Sequence, residues 1–289
     1  MNFRGEKLFD ASFDKFAKTY DEVRPRYPIQ LYKDIQSFCG ISSQTNLLEI
    51  GTGSGIATEE IAKLKARIIT VEPGDNLVEV AKQNLSGYQN IQFICDTFEN
   101  CDFKGRQFDI ILSATTFHWL ERDSKYYDCY RYLKDNGFLV LYWNSFCREN
   151  SPIMREIDEV YARNLSATYE RKSDVNRGVL DKVIKREQEL IQSEYFYISA
   201  LKRYRTEYQY DSDSYVALLN TYPKIIKLSS EVRNKFLAEI KEVIIKNGNQ
   251  ITIPILTSLY ICRKREQFTN DFGCREANIY SSEKVEISL

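Results

Sequence analysis

A doubly wound α/β fold is the architecture the sequence predicts, on three observations. Short, nearly continuous apolar runs recur through the first half of the chain, helix-compatible stretches separate them, and one run ends in a Gly-x-Gly-x-Gly turn that opens a helix. Strands buried on both faces read as unbroken apolar runs, and their alternation with helices gives a mostly parallel sheet covered on both sides.

The runs are Asn46–Ile50, Arg67–Glu72, Ile91–Cys95 and Phe108–Ser113. A fifth, Gly137–Trp143, follows a helix-like stretch from Asp123 to Leu133. From Asn150 to Ser199 the chain is charged and almost without Gly, with apolar residues at helical spacing such as Ile153, Ile157, Val160 and Tyr161, then Val179, Val183 and Ile184. That pattern predicts inserted helices packed over the carboxyl edge of the sheet. Tyr204–Tyr210 alternates aromatic and polar residues like a half-exposed strand. Ser214–Thr221 and Ser230–Lys246 have helical spacing, and Gln250–Arg263 returns to β character, so two late strands extend the sheet. The expected division is 1–149 for an amino-terminal cap and the parallel half, 150–200 for a helical lid, 201–265 for the elements that complete the sheet, and 266–289 for a polar tail.

The chain has 289 residues, enough to bury a substantial core without disulfides. Its 40 basic and 41 acidic side chains nearly cancel, so net charge gives no argument for a nucleic acid or an anionic membrane as partner. The seven Cys are odd in number and lack a C-x-x-C spacing, which speaks against a disulfide framework and a structural zinc site and for reduced thiols in the cytoplasm. No apolar run approaches the roughly 18 residues of a membrane span. Oligomeric state is not legible.

The chemistry-bearing residues cluster at the ends of the runs. In Leu47-Leu48-Glu49-Ile50-Gly51-Thr52-Gly53-Ser54-Gly55 a strand meets three glycines, which let the backbone bend and a ligand approach the main chain. A ligand-free turn and a nicotinamide or flavin site share that signature. The spacing differs from the dinucleotide Gly-x-Gly-x-x-Gly, and the carboxylate of Glu49 before the first glycine suits a cationic ligand better than a pyrophosphate. Glu72, followed by Pro73, ends the next run, where a carboxylate accepts hydrogen bonds from ribose hydroxyls. Asp96 can accept the amino group of an adenine, with Thr97 beside it and Phe98 flanking the ring; Asp96 also fits a helix N-cap.

The run Leu48–Gly55, Glu72, Asp96-Thr97-Phe98 and Ser113-Ala114-Thr115-Thr116-Phe117-His118-Trp119-Leu120 resemble the class I S-adenosylmethionine-dependent methyltransferases, and more narrowly the branch with trans-aconitate and ubiquinone or menaquinone methyltransferases. The likeness includes Phe13–Asp21, Arg24–Pro28 and Tyr130–Phe138, and spans roughly Phe9 to Arg265. It implies a seven-stranded Rossmann-like sheet with an antiparallel last strand, and S-adenosylmethionine as cofactor with S-adenosylhomocysteine as product. Gly51, Thr52, Gly53 and Gly55 would cradle the cofactor with Glu49, Glu72 would hold the ribose, Asp96 and Phe98 the adenine, and Ser113 and Thr115 would lie near the methionine part. Phe16, Tyr20 and Arg24 are candidate closing residues from the first helix; Phe13, Phe16 and Tyr20, at i, i+3, i+7, fit an ordinary amphipathic helix packed on the sheet equally well. One departure is Asn136, before Gly137, where many relatives carry Pro-Gly or Gly-Gly; Asn tolerates the positive φ of such a turn.

Methyl transfer from a sulfonium is an in-line displacement that depends on alignment. An ionised acceptor needs no base, whereas an acidic carbon or neutral hydroxyl benefits from one. His118, the only histidine, is the candidate base; as part of an aromatic wall it has a blander role. The expected acceptor pocket contains His118, Trp119, Tyr142, Trp143 and Asn144, together with the inserted helices, whose Arg148, Arg155, Arg163 and Arg171 could pair with an anionic substrate or form a solvated face. The expected function is methylation of an oxygen or carbon of a small molecule. RNA or protein methylation, a non-catalytic scaffold of the same fold and, more distantly, an NAD oxidoreductase are the alternatives.

Overall fold

The computed structural model of the chain describes residues 14–121, 124–165 and 175–265. The expected tail 266–289, the amino-terminal likeness at Phe9–Phe13, the expected helix start at Asp123 and Arg171 lie outside the described residues.

After a 3-10 turn at Asp14–Phe16, the chain forms α1 (Ala17–Val23) and α2 (Ile29–Cys39), then β1 (Asn46–Ile50), α3 (Ile56–Ala62), β2 (Arg67–Val71), α4 (Asp75–Asn84) and β3 (Ile91–Ile94). β4 (Phe108–Ala114), α5 (Lys125–Tyr132) and β5 (Leu133–Phe146) complete the parallel part. The second half holds α6 (Pro152–Leu165), α7 (Val175–Ile191), β6 (Phe196–Tyr210), α8 (Ser212–Leu219), α9 (Pro223–Ile226), α10 (Ser230–Lys246) and β7 (Ile251–Lys264). The seven strands form one sheet in the order β3-β2-β1-β4-β5-β7-β6. β1 to β5 are parallel and β7 runs antiparallel to both β5 and β6, which is the expected doubly wound sheet with an antiparallel last strand.

Both faces of the sheet are covered, and this accounts for the continuous apolar runs. Successive residues of a strand point to opposite sides. Leu47, Ile110, Leu112, Val140 and Tyr142 join Leu31 and Ile35 of α2 and Ile61 of α3 in one layer. Their neighbours Leu48, Ile111, Leu141 and Trp143 join Cys129 of α5 and Leu190 of α7 in the other. Each fully buried Leu or Ile of this kind contributes roughly 1.5–3 kcal/mol relative to exposure. A third cluster unites Met154, Ile157 and Val160 of α6 with Leu218 of α8 and Phe236, Ile240 and Ile244 of α10.

Two boundaries depart from the sequence reading. β5 starts at Leu133 and not at Gly137, because Leu133 already pairs with Phe108 before a register shift brings Phe138 opposite Ile110. Asn136 is not among the residues with positive φ, so the anticipated turn is absorbed as this irregularity in the strand. β6 starts at Phe196, within the stretch expected to be helical insertion, and pairs with β7 as far as Tyr210, with a register shift between Ile198 and Ala200. It is the edge strand, and Lys202, Arg203 and Arg205 on it are the charges that typically protect an open edge from pairing with another chain. Among the described residues no helix is long and apolar enough to cross a membrane.

Candidate functional site

The loops leaving β1, β2, β3 and β4 border a cavity of about 620 Å3, a size ordinary for a small-molecule site. Gly51 and Gly53 come from the first loop, Glu72 and Pro73 from the second, Thr97, Phe98 and Glu99 from the third, and Thr115, Thr116, His118 and Trp119 from the fourth. Tyr20 of α1 and Arg24 just after it close one side, and Tyr161 of α6, Lys182 of α7 and Tyr222–Ile225 close the other. A smaller chamber of about 70 Å3 adjoins it, lined by Thr52, Ser54, Tyr27, Thr115 and Asn144 among others.

The glycines have separate physical roles. Gly51 has φ +80°, and a Cβ there would overlap the Thr116 side chain, so no other residue fits without moving the β4 loop. Gly53 has φ +56°, and a Cβ would meet nothing within 4 Å because open cavity lies beyond it. Gly55 borders neither chamber; its Cβ would press on Leu85 at 2.8 Å, so it sets the packing of α3 against the end of α4 instead of cradling a ligand.

Glu72 is buried and binds the glycine loop directly. Its Oε2 accepts from the Gly53 N–H at 2.9 Å and its Oε1 from the Gly74 N–H at 3.1 Å. Burial raises its pKa, and these two hydrogen bonds oppose the rise. Each oxygen keeps a further lone pair, which leaves the carboxylate able to accept a ligand hydroxyl. Thr115 holds φ +59°, uncommon for a β-branched residue. Its N–H donates to the Tyr142 carbonyl at 2.8 Å, and its Oγ1 lies 2.8 Å from the Tyr27 hydroxyl. Arg24 donates to Thr221 Oγ1 at 3.1 Å and to its carbonyl at 3.2 Å, with its guanidinium over the Tyr20 and Tyr222 rings. The end of α1 is thereby tied to the far half of the chain.

Several expected site residues point elsewhere. Glu49 is fully buried behind the loop, where its Oε2 accepts from Thr58 Oγ1 at 2.6 Å and burial pushes its pKa up to about 8. Ser113 is also buried and donates to the Ile50 carbonyl. Asp96 turns onto its own loop, accepting from the Thr97 N–H and from Asn100 Nδ2, while Thr97 and Phe98 face the cavity. Phe16 is partly buried and does not border the cavity. Strand alternation sends Tyr142 into the α2 layer against Tyr27 and Tyr32, and Trp143 into the α5 and α7 layer against Tyr260, so neither lines the acceptor space. Asn144 borders only the smaller chamber, bonded to the Pro25 carbonyl and to Thr257. Arg148 pairs with Asp158, Arg155 with Asn150 and Arg163 with Glu239, and none of the three borders the cavity.

His118 and Trp119 do border the cavity, Trp119 being 39% exposed. His118 Nδ1 accepts from Trp143 Nε1 at 3.2 Å. The residue is exposed at the cavity, while desolvation by the packed protein and the cations of Arg186, Lys125 and Lys182 lower its pKa to about 4. With Nδ1 already accepting from Trp143 and the pKa lowered, the geometry does not favour the base role expected from sequence. Sequence reading missed Tyr161, Lys182 and Tyr222–Ile225, which reach the site from the inserted and carboxyl-terminal helices without a local motif.

A family model described as "Methyltransferase domain" matches residues 48–141, the span from the end of β1 through β5 that carries all four loops. Residues 48–141 are thus similar to a methyltransferase domain. An uncharacterized methyltransferase of Schizosaccharomyces pombe is 25% identical over 85% of this chain and 94% of its own length. A Dictyostelium discoideum protein named as a methyltransferase is 31% identical, over 46% of this chain and 49% of its own length. Malonyl-[acyl-carrier protein] O-methyltransferase 1 of Ilyobacter polytropus is 29% identical, over 46% of this chain and 50% of its own length. For these last two relatives the match therefore covers about half of their length. The fold is similar to that of an Anaeromyxobacter dehalogenans protein described as a type II methyltransferase, with TM-score 0.60 and 16% identity over 83% of this chain and 97% of that one. It also resembles a Geobacter sulfurreducens methyltransferase solved with S-adenosylhomocysteine, with TM-score 0.51 and 12% identity over 89% and 99% of the chains. Outside the matched residues, the elements after β5 supply the far wall of the cavity.

The residues present fit the cofactor that such a domain uses. Beyond Gly53 there is room that any side chain would fill, the Glu72 carboxylate stands beside it, and Phe98 offers an apolar wall. In the same loop the hydroxyls of Thr52 and Ser54 are buried without a hydrogen-bond partner among the described residues, which is costly unless a ligand or water satisfies them.

Proposed function

We propose that the chain transfers a methyl group from S-adenosylmethionine to an oxygen or carbon of a small-molecule acceptor. The observation that carries this is the pairing of Glu72 with the Gly53 N–H at the cavity floor, which puts a hydroxyl-accepting carboxylate beside the one glycine of the loop that faces open space. When bound, S-adenosylmethionine supplies an electrophilic methyl group on a sulfonium sulfur. Glu72 would hold the ribose hydroxyls, Phe98 and Thr97 would flank the adenine, and Thr115 and Arg24 would face the amino-acid end across Gly51. Trp119, Tyr161, Tyr222 and Ile225 would form the apolar acceptor wall, with α6 and α7 as a lid that keeps water from the reacting atoms.

A small acceptor is supported by the largely apolar walls and by the O-methyltransferase name of the Ilyobacter relative. Six described cysteines are free thiols, which supports a cytoplasmic setting. The test is incubation with methyl-labelled S-adenosylmethionine and a panel of carboxylic acids, phenols and quinone precursors, beside RNA and protein fractions. Label is expected in an extractable small product and lost in Glu72→Ala. Label confined to RNA or protein overturns the proposed acceptor class.

A further inference from the structure

We propose that His118 acts as a fixed hydrogen-bond donor to an oxygen of the methyl acceptor, with Trp143 as its positioning residue, and that the acceptor arrives already ionised, as a carboxylate or an acidic phenol. This rests on the methyl-transfer reading and specifies the substrate class of the same site.

The indole Nε1–H of Trp143 can only donate, and its partner is His118 Nδ1 at 3.2 Å. That contact requires a lone pair on Nδ1, so the single proton of the neutral ring sits on Nε2. The two ring nitrogens point to nearly opposite sides, and with Nδ1 turned to a buried partner, Nε2–H faces outward to the cavity that the exposed ring borders. Trp143 has no freedom to turn away, being 2% exposed and held between the Tyr260 ring and the Arg186 guanidinium, 4.6 Å from its ring centroid. Protonating Nδ1 would set two N–H groups against each other, beside Arg186 and Lys182 of α7 and Lys125 of α5, the last paired with Glu189 at 3.5 Å.

A donor locked in this way cannot take a proton from the acceptor. Of the carboxylates bordering the cavity, Glu72 is assigned to the cofactor ribose and Glu99 Oε1 accepts from the Glu121 N–H. An acceptor that brings its own anionic oxygen needs neither. Its lone pair forms the new carbon–oxygen bond, the carbon–sulfur bond breaks with its electron pair going to sulfur, and no proton is released.

Because His118 is the sole histidine, the imidazole nitrogens of the full chain uniformly labelled with 15N give one spin system that needs no assignment. The expected spectrum, with S-adenosylhomocysteine present or absent, is the Nε2–H tautomer from pH 6 to 8, changing to a tautomer mixture in Trp143→Phe. An Nδ1–H tautomer, or a ring that titrates between pH 6 and 7.5, overturns the proposal whether or not an acceptor has been found. In the labelled acceptor panel, acids are expected to be methylated in preference to matched neutral alcohols. His118→Phe is expected to lower kcat/KM for the acid by about 10- to 100-fold, and His118→Gln, which keeps a donor, to recover most of it. Equal losses in both variants, or preference for the alcohols, count against the donor role. Failure of the cofactor to bind at all would overturn the methyl-transfer reading instead, and leaves the tautomer result to be read independently.

Discussion

Glu49→Gln separates a buried neutral acid from a ligand-facing carboxylate. Glu49 lies behind the glycine loop with one oxygen bonded to Thr58 Oγ1 and the other, Oε1, buried without a partner among the described residues. Burial raises its pKa from the ordinary 4.5 to about 8; the Thr58 hydrogen bond opposes this and the nearby Glu72 charge adds to it. The native state therefore keeps a proton on Glu49 between about pH 4.5 and 8, where the unfolded chain has already lost its own. A raised carboxyl pKa gives stability that is present below the unfolded value and lost as pH rises through the folded one. At roughly 1.4 kcal/mol per pH unit the full span corresponds to about 4–5 kcal/mol. Glutamine keeps the shape and the Thr58 contact with no proton to lose. Urea unfolding of the cofactor-free protein is expected to give equal stabilities within about 1 kcal/mol at pH 5, and to favour the variant by at least about 2 kcal/mol at pH 8.5. Parallel stability curves for the two proteins across this range would refute a neutral, buried Glu49.

Three further outcomes follow from the geometry. Gly51→Ala adds both an overlap with Thr116 and a strained positive φ, and is expected to cost about 2–4 kcal/mol in thermal or urea unfolding. Gly53→Ala meets nothing in the protein and is expected to cost only about 1–2 kcal/mol, yet to weaken cofactor binding at least about tenfold by calorimetry, because its methyl enters the cavity. Arg24→Ala removes two hydrogen bonds to Thr221 and two ring contacts; faster hydrogen exchange across α1, and a stability loss of about 1–3 kcal/mol, are expected.

How much was legible in the sequence depended on how local the signal was. β1 at Asn46–Ile50 and α10 at Ser230–Lys246 match the expected limits because each is framed by its own chemistry: Gly51 ends the strand, and Ser229 caps the helix. β6 began earlier than expected because its first residues, Phe196-Tyr197-Ile198, follow a charged helical stretch without a Gly or Pro break, and only their pairing with β7 shows where the strand starts. The loop residues Gly51, Gly53, Glu72, Phe98 and Thr115 were readable because they sit directly after strands that end at one edge of the sheet. Tyr142 and Trp143 were misplaced because sequence does not reveal how far the two helical layers reach along a strand buried on both faces. The Trp143–His118 bond and the Arg24–Thr221 bond join residues 25 and 197 positions apart, beyond any motif.

The most direct test of a methyltransferase site built on the glycine loop and Glu72 is isothermal titration with S-adenosylmethionine and S-adenosylhomocysteine, for the wild type, Glu72→Ala and Gly53→Val. Micromolar binding of both ligands by the wild type, lost in both folded variants, is the expected result. A folded wild type that binds neither ligand, or variants that bind as well as the wild type, would contradict it.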